Sequence, residues 1–141
     1  MSNIILCDID GTIANNDHRQ HYLEGKKDWD GFFSELVNDL PIYEIIDQII
    51  EEQSKGREII FLTGRPERYR YSCTLWLKEY FDFDFKLLMR KDNDQRHKLE
   101  IKKEIFEDNF NVDDICCVFE NDYELIKMWK GLNLSTIEVD L

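Results

Sequence analysis

The chain has 141 residues, 43% of them hydrophobic and 13% aromatic, with a formal net charge of −12. That length predicts one domain and that composition a packed core, which excludes low-complexity disorder. The negative total argues against a broadly basic nucleic-acid surface, and no apolar run reaches the ~18 residues that a membrane span needs.

In chain order, NIILC (3–7) is a short, continuously apolar run, the pattern of a strand covered on both faces. Its N-terminal context, MSNIILCDID, has neither a basic stretch nor a small-residue cleavage site, so the expected location is the cytoplasm, with no membrane partner. Residues 15–40 show little periodicity beyond a possible short helix at 29–38. Ile42, Ile45, Ile46, Ile49 and Ile50 then recur at helical spacing, with Pro41 suited to the first turn and Gly56 to a stop. EIIFL (58–62) predicts a second strand and 66–80 a helix with Tyr69, Cys73, Trp76, Leu77 and Tyr80 on one face. FKLLM (85–89), a helix over 95–107, ICCVF (115–119), a helix over 122–130 stopped by Gly131, and an edge strand at 134–139 complete the pattern.

Apolar strands alternating with amphipathic helices predict an α/β, Rossmann-like fold, a parallel five-stranded sheet flanked by helices. Trp29, Trp76 and Trp129 are expected in the core. The cysteines at 7, 73, 116 and 117 match no zinc spacing and read as reduced, buried side chains. His18 and His21 form an HxxH pair with nothing downstream to complete a metal site, so they read as structural. The acidic runs at 107–114 and 120–124 read mostly as solvated faces.

In such sheets ligands bind beyond the carboxyl ends of the strands. Four polar clusters fall there: Asp8 and Asp10, Thr63-Gly64-Arg65, Arg90-Lys91, and Glu120-Asn121-Asp122. Charge is unevenly spread: residues 1–64 and 104–141 each sum to −8, whereas 65–103 sum to +4, so the middle of the chain supplies any anion-handling surface. Two crowded carboxylates are tolerable around a hard cation such as Mg²⁺, which takes oxygen ligands and lets a carboxylate approach an anionic phosphate. A carboxylate can accept a phosphoryl group, and a second one can act as acid and then base. Gly11 permits a tight turn after the pair. Thr63-Gly64, read as a strand-to-helix turn, offers a hydroxyl and free amides as a phosphate cradle, and a lysine from elsewhere would balance the charge.

Asp8-Ile9-Asp10-Gly11-Thr12 resembles the signature of the haloacid dehalogenase superfamily of aspartate-nucleophile phosphatases. The segments DIDGTIANNDHR, FLTGRPERYR, LLMRKDNDQR, KKEIF and IKMW, in order between residues 4 and 130, resemble the phosphatase domain of phage-type polynucleotide kinase/3′-phosphatases. The resemblance implies Asp8 as nucleophile, Asp10 as general acid/base that also gives its backbone carbonyl to Mg²⁺, and Thr63 and Lys102 (rather than Lys103) as phosphate ligands. It implies Arg19 and Arg65 as residues that clamp substrate phosphate or stabilise transferred charge. Where the family has Asp-Asp after the fourth strand, this chain has Glu120-Asn121; Asn121 is the expected metal ligand, with Glu120 or Asp122 as alternatives. An acidic residue expected upstream of the lysine is replaced by Lys98 or Leu99.

No GxxxxGK[ST] phosphate loop occurs, so residues 1–141 read as one phosphatase domain without a kinase domain. Since 42–62 already form a helix and strand, little of the segment between the first two motifs is left for a large cap. The expected activity is Mg²⁺-dependent phosphomonoester hydrolysis on a phosphorylated nucleic-acid end, favouring 3′ ends by resemblance. Free mononucleotides are the alternative substrate, and a weakly catalytic phosphate-binding module the third reading.

Overall fold

The computed structural model describes residues 2–140. Five strands, β1 (Ile4–Cys7), β4 (Glu58–Pro66), β5 (Lys86–Arg90), β6 (Ile115–Glu120) and β7 (Thr136–Glu138), form one parallel sheet in the order β5-β4-β1-β6-β7. A second, minimal ladder pairs β2 (Ala14–Asn15) with β3 (Leu40–Pro41) in antiparallel fashion. The helices are α1 (Trp29–Ser34), α2 (Tyr43–Ser54), α3 (Arg70–Tyr80), α4 (Lys98–Asn109) and α5 (Tyr123–Gly131).

The unbroken apolar runs of the central strands follow from cover on both faces. Ile5 and Cys7 of β1 and Ile59 and Phe61 of β4 pack with Ile45, Ile46 and Ile49 of α2 and Trp76 and Leu77 of α3. The intervening Leu6, Ile60 and Leu62 pack on the other face with Phe106 of α4 and Leu125 and Trp129 of α5. Each such side chain contributes about 1.5–3 kcal/mol on full burial, so a one-residue slip of register would forfeit both faces at once.

Several local expectations are corrected. Pro41 belongs to β3, where it faces Ala14, and α2 begins at Tyr43 with Ile42 as its N-cap; Pro41 has no N–H to give and fits an edge ladder. Ile50 is 40% exposed, because the buried stripe of α2 is confined to Ile45, Ile46 and Ile49. Trp29 is 47% exposed rather than in the core: α1 lies on the surface and buries Phe32 alone. β4 runs on to Pro66, and α3 starts only at Arg70 after a 3₁₀ turn at Glu67–Tyr69. Gly56 follows α2 with φ +92°, as its stop position asks. The four cysteines are free, three of them buried. Among the described residues, no helix is long and apolar enough to cross a membrane.

β1 is central, β4 and β5 extend the sheet to one side, and β6 and β7 extend it to the other. The chain's reversal of direction about β1 opens a crevice at the carboxyl ends of β1, β4 and β6. Between β1 and β4 only α2 is longer than seven residues, and it packs against the sheet, so no large cap covers that crevice.

Candidate active site

β1 ends at Cys7, and the chain turns at once. The amides of Thr12, Ile13 and Ala14 all converge on the carbonyl of Ile9, and Gly11 sits at φ +80°. A side chain at Gly11 would run into the amide group of Asn121, so glycine serves both the backbone angle and the approach of the loop after β6. Among the described residues, no donor reaches the Asp10 carbonyl.

Asp8, 8% exposed, receives Lys102 Nζ on Oδ1 at 2.6 Å and the Thr12 hydroxyl on Oδ2 at 3.0 Å. The same hydroxyl lies 3.1 Å from Asn121 Oδ1, so one proton serves two acceptors. Lys102 reaches Asp8 from the middle of α4 and is itself 4% exposed. Its second partner is Glu120 Oε1 at 3.4 Å. Glu120 is fully committed: Trp129 Nε1 donates to Oε1 at 3.1 Å, and the Asn121 and Asp122 amides donate to Oε2. Burial and the Glu120 charge push the Asp8 carboxyl well above the usual carboxylate range, against the pull of Lys102. Burial would strip Lys102 of its proton, but Asp8 and Glu120 hold it charged.

Asp10 lies in a different environment. Arg65 grips it through Nη2 to Oδ1 at 2.9 Å and Nε to Oδ2 at 3.1 Å, and Arg19 Nη2 reaches Oδ1 at 2.6 Å. Burial alone would raise its carboxyl, yet Arg65 and Arg19 outweigh that and bring it down to about 2. The arginines are in turn oriented by Asp39, 3% exposed, which takes Arg19 Nε and Nη2 at 2.8 Å, Arg65 Nη2 at 3.1 Å and His18 Nε2 at 2.7 Å. Arg19 also stacks over the Phe32 ring at 4.2 Å. Both guanidinium side chains have 0% exposure. Arg19 and Arg65, expected to clamp substrate phosphate or stabilise transferred charge, hold Asp10 in this structure.

Thr63 is buried, and its hydroxyl accepts the Arg65 amide at 3.1 Å, leaving its own proton to give. No helix begins at Thr63-Gly64, which corrects the expected cradle of helix N-terminal amides. The ladder to β5 instead slips between Thr63 and Pro66, so Gly64 lies in a strand irregularity that lines the crevice.

The crevice has the chemistry of a hard-cation site. Asp8, Asp10, Asp39 and Glu120 face Arg19, Arg65 and Lys102, four carboxyl groups against three cations. Asp8 Oδ2, Asn121 Oδ1 and the free Asp10 carbonyl are oxygen donors of the kind Mg²⁺ takes. The two alternative ligands are engaged elsewhere in this structure. Glu120 is spent on Lys102, Trp129 and two amides, and Asp122 caps α5 through the Glu124 and Leu125 amides while pairing with Lys98 at 2.5 Å. Among the described residues, no three His, Cys, Asp or Glu side chains gather as a metal cluster, so this donor set leans on neutral oxygens.

Sequence reasoning missed Asp39 and gave Thr12 no role. The DxDGT motif contains Thr12, but nothing local marks Asp39, which matters only because the fold brings it beneath Arg19 and Arg65.

A phosphatase fold of the haloacid dehalogenase type is what this sheet and crevice define. The family model described as the polynucleotide kinase PNKP phosphatase domain matches residues 2–141, and the chain belongs to that family. It is 25% identical over 138 residues to a protein of Autographa californica nuclear polyhedrosis virus named as a bifunctional polynucleotide kinase/RNA ligase, covering 94% of this chain and 18% of that protein. Two solved structures, of a Pnkp1/Rnl/Hen1 complex and of a Pnkp1/Rnl/Hen1 RNA repair complex, superpose with TM-scores of 0.80 at 26% and 27% identity. They cover 98% and 96% of this chain, which spans 46% and 42% of theirs. The chain therefore corresponds to a part of each of these relatives.

Proposed function

We propose that this phosphatase is Mg²⁺-dependent, works through a phosphoaspartate on Asp8, and removes phosphate from the 3′ ends of polynucleotides. The observation that carries the reading is the opposed treatment of two aspartates in one turn: Asp8 beside Lys102 at the crevice, Asp10 in the grip of Arg19 and Arg65.

An Asp8 oxygen attacks phosphorus, the bond from phosphorus to the ester oxygen breaks, and Asp10 delivers the proton that the leaving oxygen needs. Water then attacks the phosphoaspartate, Asp10 takes the water's proton, and Asp8 is released as carboxylate with inorganic phosphate. Held at about 2, Asp10 rests in the base form that the second half-reaction uses. Its use as an acid in the first half requires substrate binding to loosen the two arginines. Proton transfer of this kind contributes about 10²–10⁴ in rate. Lys102 and the Thr63 hydroxyl are the groups for the non-bridging phosphate oxygens, and Gly64 leaves room for them to approach. Asp8, the Asp10 carbonyl and Asn121 would hold Mg²⁺, whose contribution is to neutralise repulsion between carboxylate and phosphate.

The family supports the polynucleotide, while the net charge of −12 favours free mononucleotides as a second reading. Phosphate release with Mg²⁺ from 3′- and 5′-phosphorylated oligonucleotides and from free 3′ and 5′ mononucleotides decides between them. Preference for the 3′ oligonucleotide is expected. Preference for mononucleotides would make the protein a nucleotidase, and phosphate binding without release from any substrate would leave only a phosphate-binding module.

A further inference from the structure

A groove of about 780 Å³ opens beside Asp10 and runs past Gly64 and Pro66. That is far more room than a phosphate group requires, and falls in the ~300–1,000 Å³ range of ligand sites. One side of the groove is an aromatic ledge. Trp29 and Phe33 are stacked with centroids 5.9 Å apart and planes at 23°, and Phe33 continues to Tyr69 at 5.2 Å. Trp29 stays 47% exposed on a helix that buries only Phe32, so its ring is offered to the groove and not spent on the core.

The other side is the segment after β5. Around the groove the cations divide into two kinds. Arg68, Arg96 and Lys98 are paired with carboxylates of the surface. Among the described residues, Lys27, Arg90 and Lys91 have no carboxylate within 4.0 Å. Lys27 lies over the Trp29 ring at 5.7 Å. Arg90 is pinned by its Nη1 to the Asp94 and Arg96 carbonyls at 3.0 and 3.4 Å, while its buried Nε has no hydrogen-bond partner. Its Nη2 faces the open side of Gly64. A rigidly held guanidinium with unused donors, set between the crevice and the ledge, asks for an anion from outside the chain.

We infer that this groove is a subsite for single-stranded nucleic acid, in which the base next to the terminal nucleotide stacks on Trp29 and Phe33 while Arg90, Lys91 and Lys27 take the adjoining phosphodiester. The inference rests on the proposed nucleic-acid substrate and adds how that substrate is told from a mononucleotide. Stacking surface beside unpaired cations is the combination that single strands require, since each base must show its face to a ring. It also reconciles a net charge of −12 with a polyanionic substrate, because the positive surplus of residues 65–103 is concentrated along the path. An acidic peptide would satisfy the cations but leave the ledge idle.

The test is fluorescence anisotropy of a 5′-labelled hexanucleotide with a 3′-hydroxyl, so that binding is read apart from turnover. Trp29→Ala, Arg90→Gln and Lys91→Glu are each expected to weaken binding by about fivefold to a hundredfold, with the wild type preferring the single strand to the duplex. Tyr71→Ala, an exposed aromatic on α3, is expected to leave binding unchanged and so controls for general loss of apolar surface. Binding that survives all three groove substitutions, that Tyr71→Ala weakens equally, or that a poly-glutamate peptide displaces at equal concentration would overturn the subsite. In parallel, the kcat/KM ratio of 3′-phosphorylated hexanucleotide to mononucleotide is expected to collapse toward unity in Trp29→Ala. Absence of 3′-phosphate release with the binding pattern intact would instead sink the proposed activity and leave the groove standing.

Discussion

Asp8 and Asp10 are two residues apart on one turn, yet the molecule treats them oppositely. Asp8 shares a single lysine with Glu120, and burial presses its carboxyl upward. Asp10 shares two arginines with Asp39, which lies behind them, and its carboxyl falls to about 2. The contrast arises from which side of the turn each side chain leaves. Asp8 points toward α4 and the loop after β6, while Asp10 points toward the 3₁₀ segment at Asp17–Leu23, the end of β4 and Asp39. Role is thus assigned by the neighbours that the fold brings to each, Lys102 for Asp8 and Arg65 for Asp10 from more than fifty residues away, not by the residue type.

The largest effect is expected at Asp8. Asp8→Asn keeps the shape and the Thr12 contact but removes the proposed nucleophile, and single-turnover phosphate release is expected to fall at least ~10³-fold. Asp10→Asn is expected to slow both the formation of a trapped phosphoenzyme and its hydrolysis, whereas Asp8→Asn should form none. If Asp8→Asn kept near-normal release, the assignment of the nucleophile would be wrong.

Next in size is Asp39. Asp39→Asn leaves Arg19 and Arg65 short of a buried counter-charge, and removal of one partner from a buried pair costs about 3–5 kcal/mol. The urea midpoint should fall accordingly. Phosphate release should fall further for a nucleotide ester than for p-nitrophenyl phosphate, whose leaving group needs less help from an acid. An equal fall for both substrates would mean that Asp39 serves the fold and not the position of Asp10.

The central architecture was legible because burial on both faces writes itself into IILC, EIIFL and ICCVF, and the strand ends then point to Asp8, Thr63 and Asn121. Lys102 was reachable through the family resemblance, although a lysine mid-helix at 4% exposure carries no local mark of being buried. What could not be read was which cation faces which carboxylate. Arg19 lies in a 3₁₀ segment without periodicity, Arg65 past the expected end of its strand, and Asp39 before a two-residue strand that no pattern announces. Trp29 misled for a related reason: aromatic residues default to the core, and only the shortness of α1 leaves this one on the surface.

On the metal side of the comparison, Asn121→Ala removes a neutral oxygen from a donor set with few carboxylates. The Mg²⁺ concentration for half-maximal activity should rise about 10–100-fold, with activity recovered at saturating metal. An unchanged requirement would move the ligand role away from Asn121.

The smallest and most discriminating effect belongs to Thr12. Its hydroxyl lies within hydrogen-bonding distance of both Asp8 Oδ2 and Asn121 Oδ1, and it has one proton to give. Thr12→Val is nearly isosteric in a position with 0% exposure, so it removes the proton without opening a cavity. Without Mg²⁺, two oxygen acceptors then face each other across an apolar group, and the loss should be about 1 kcal/mol. In a chain of this size that is a fall in Tm of about 3–5 °C. Were Mg²⁺ to take the same two oxygens, the hydroxyl would no longer be their bridge, and the gap between variant and wild type should close. A gap of equal size with and without Mg²⁺ would show that the cation does not lie between Asp8 and Asn121, and would transfer the metal site to some other pair of oxygens in the crevice.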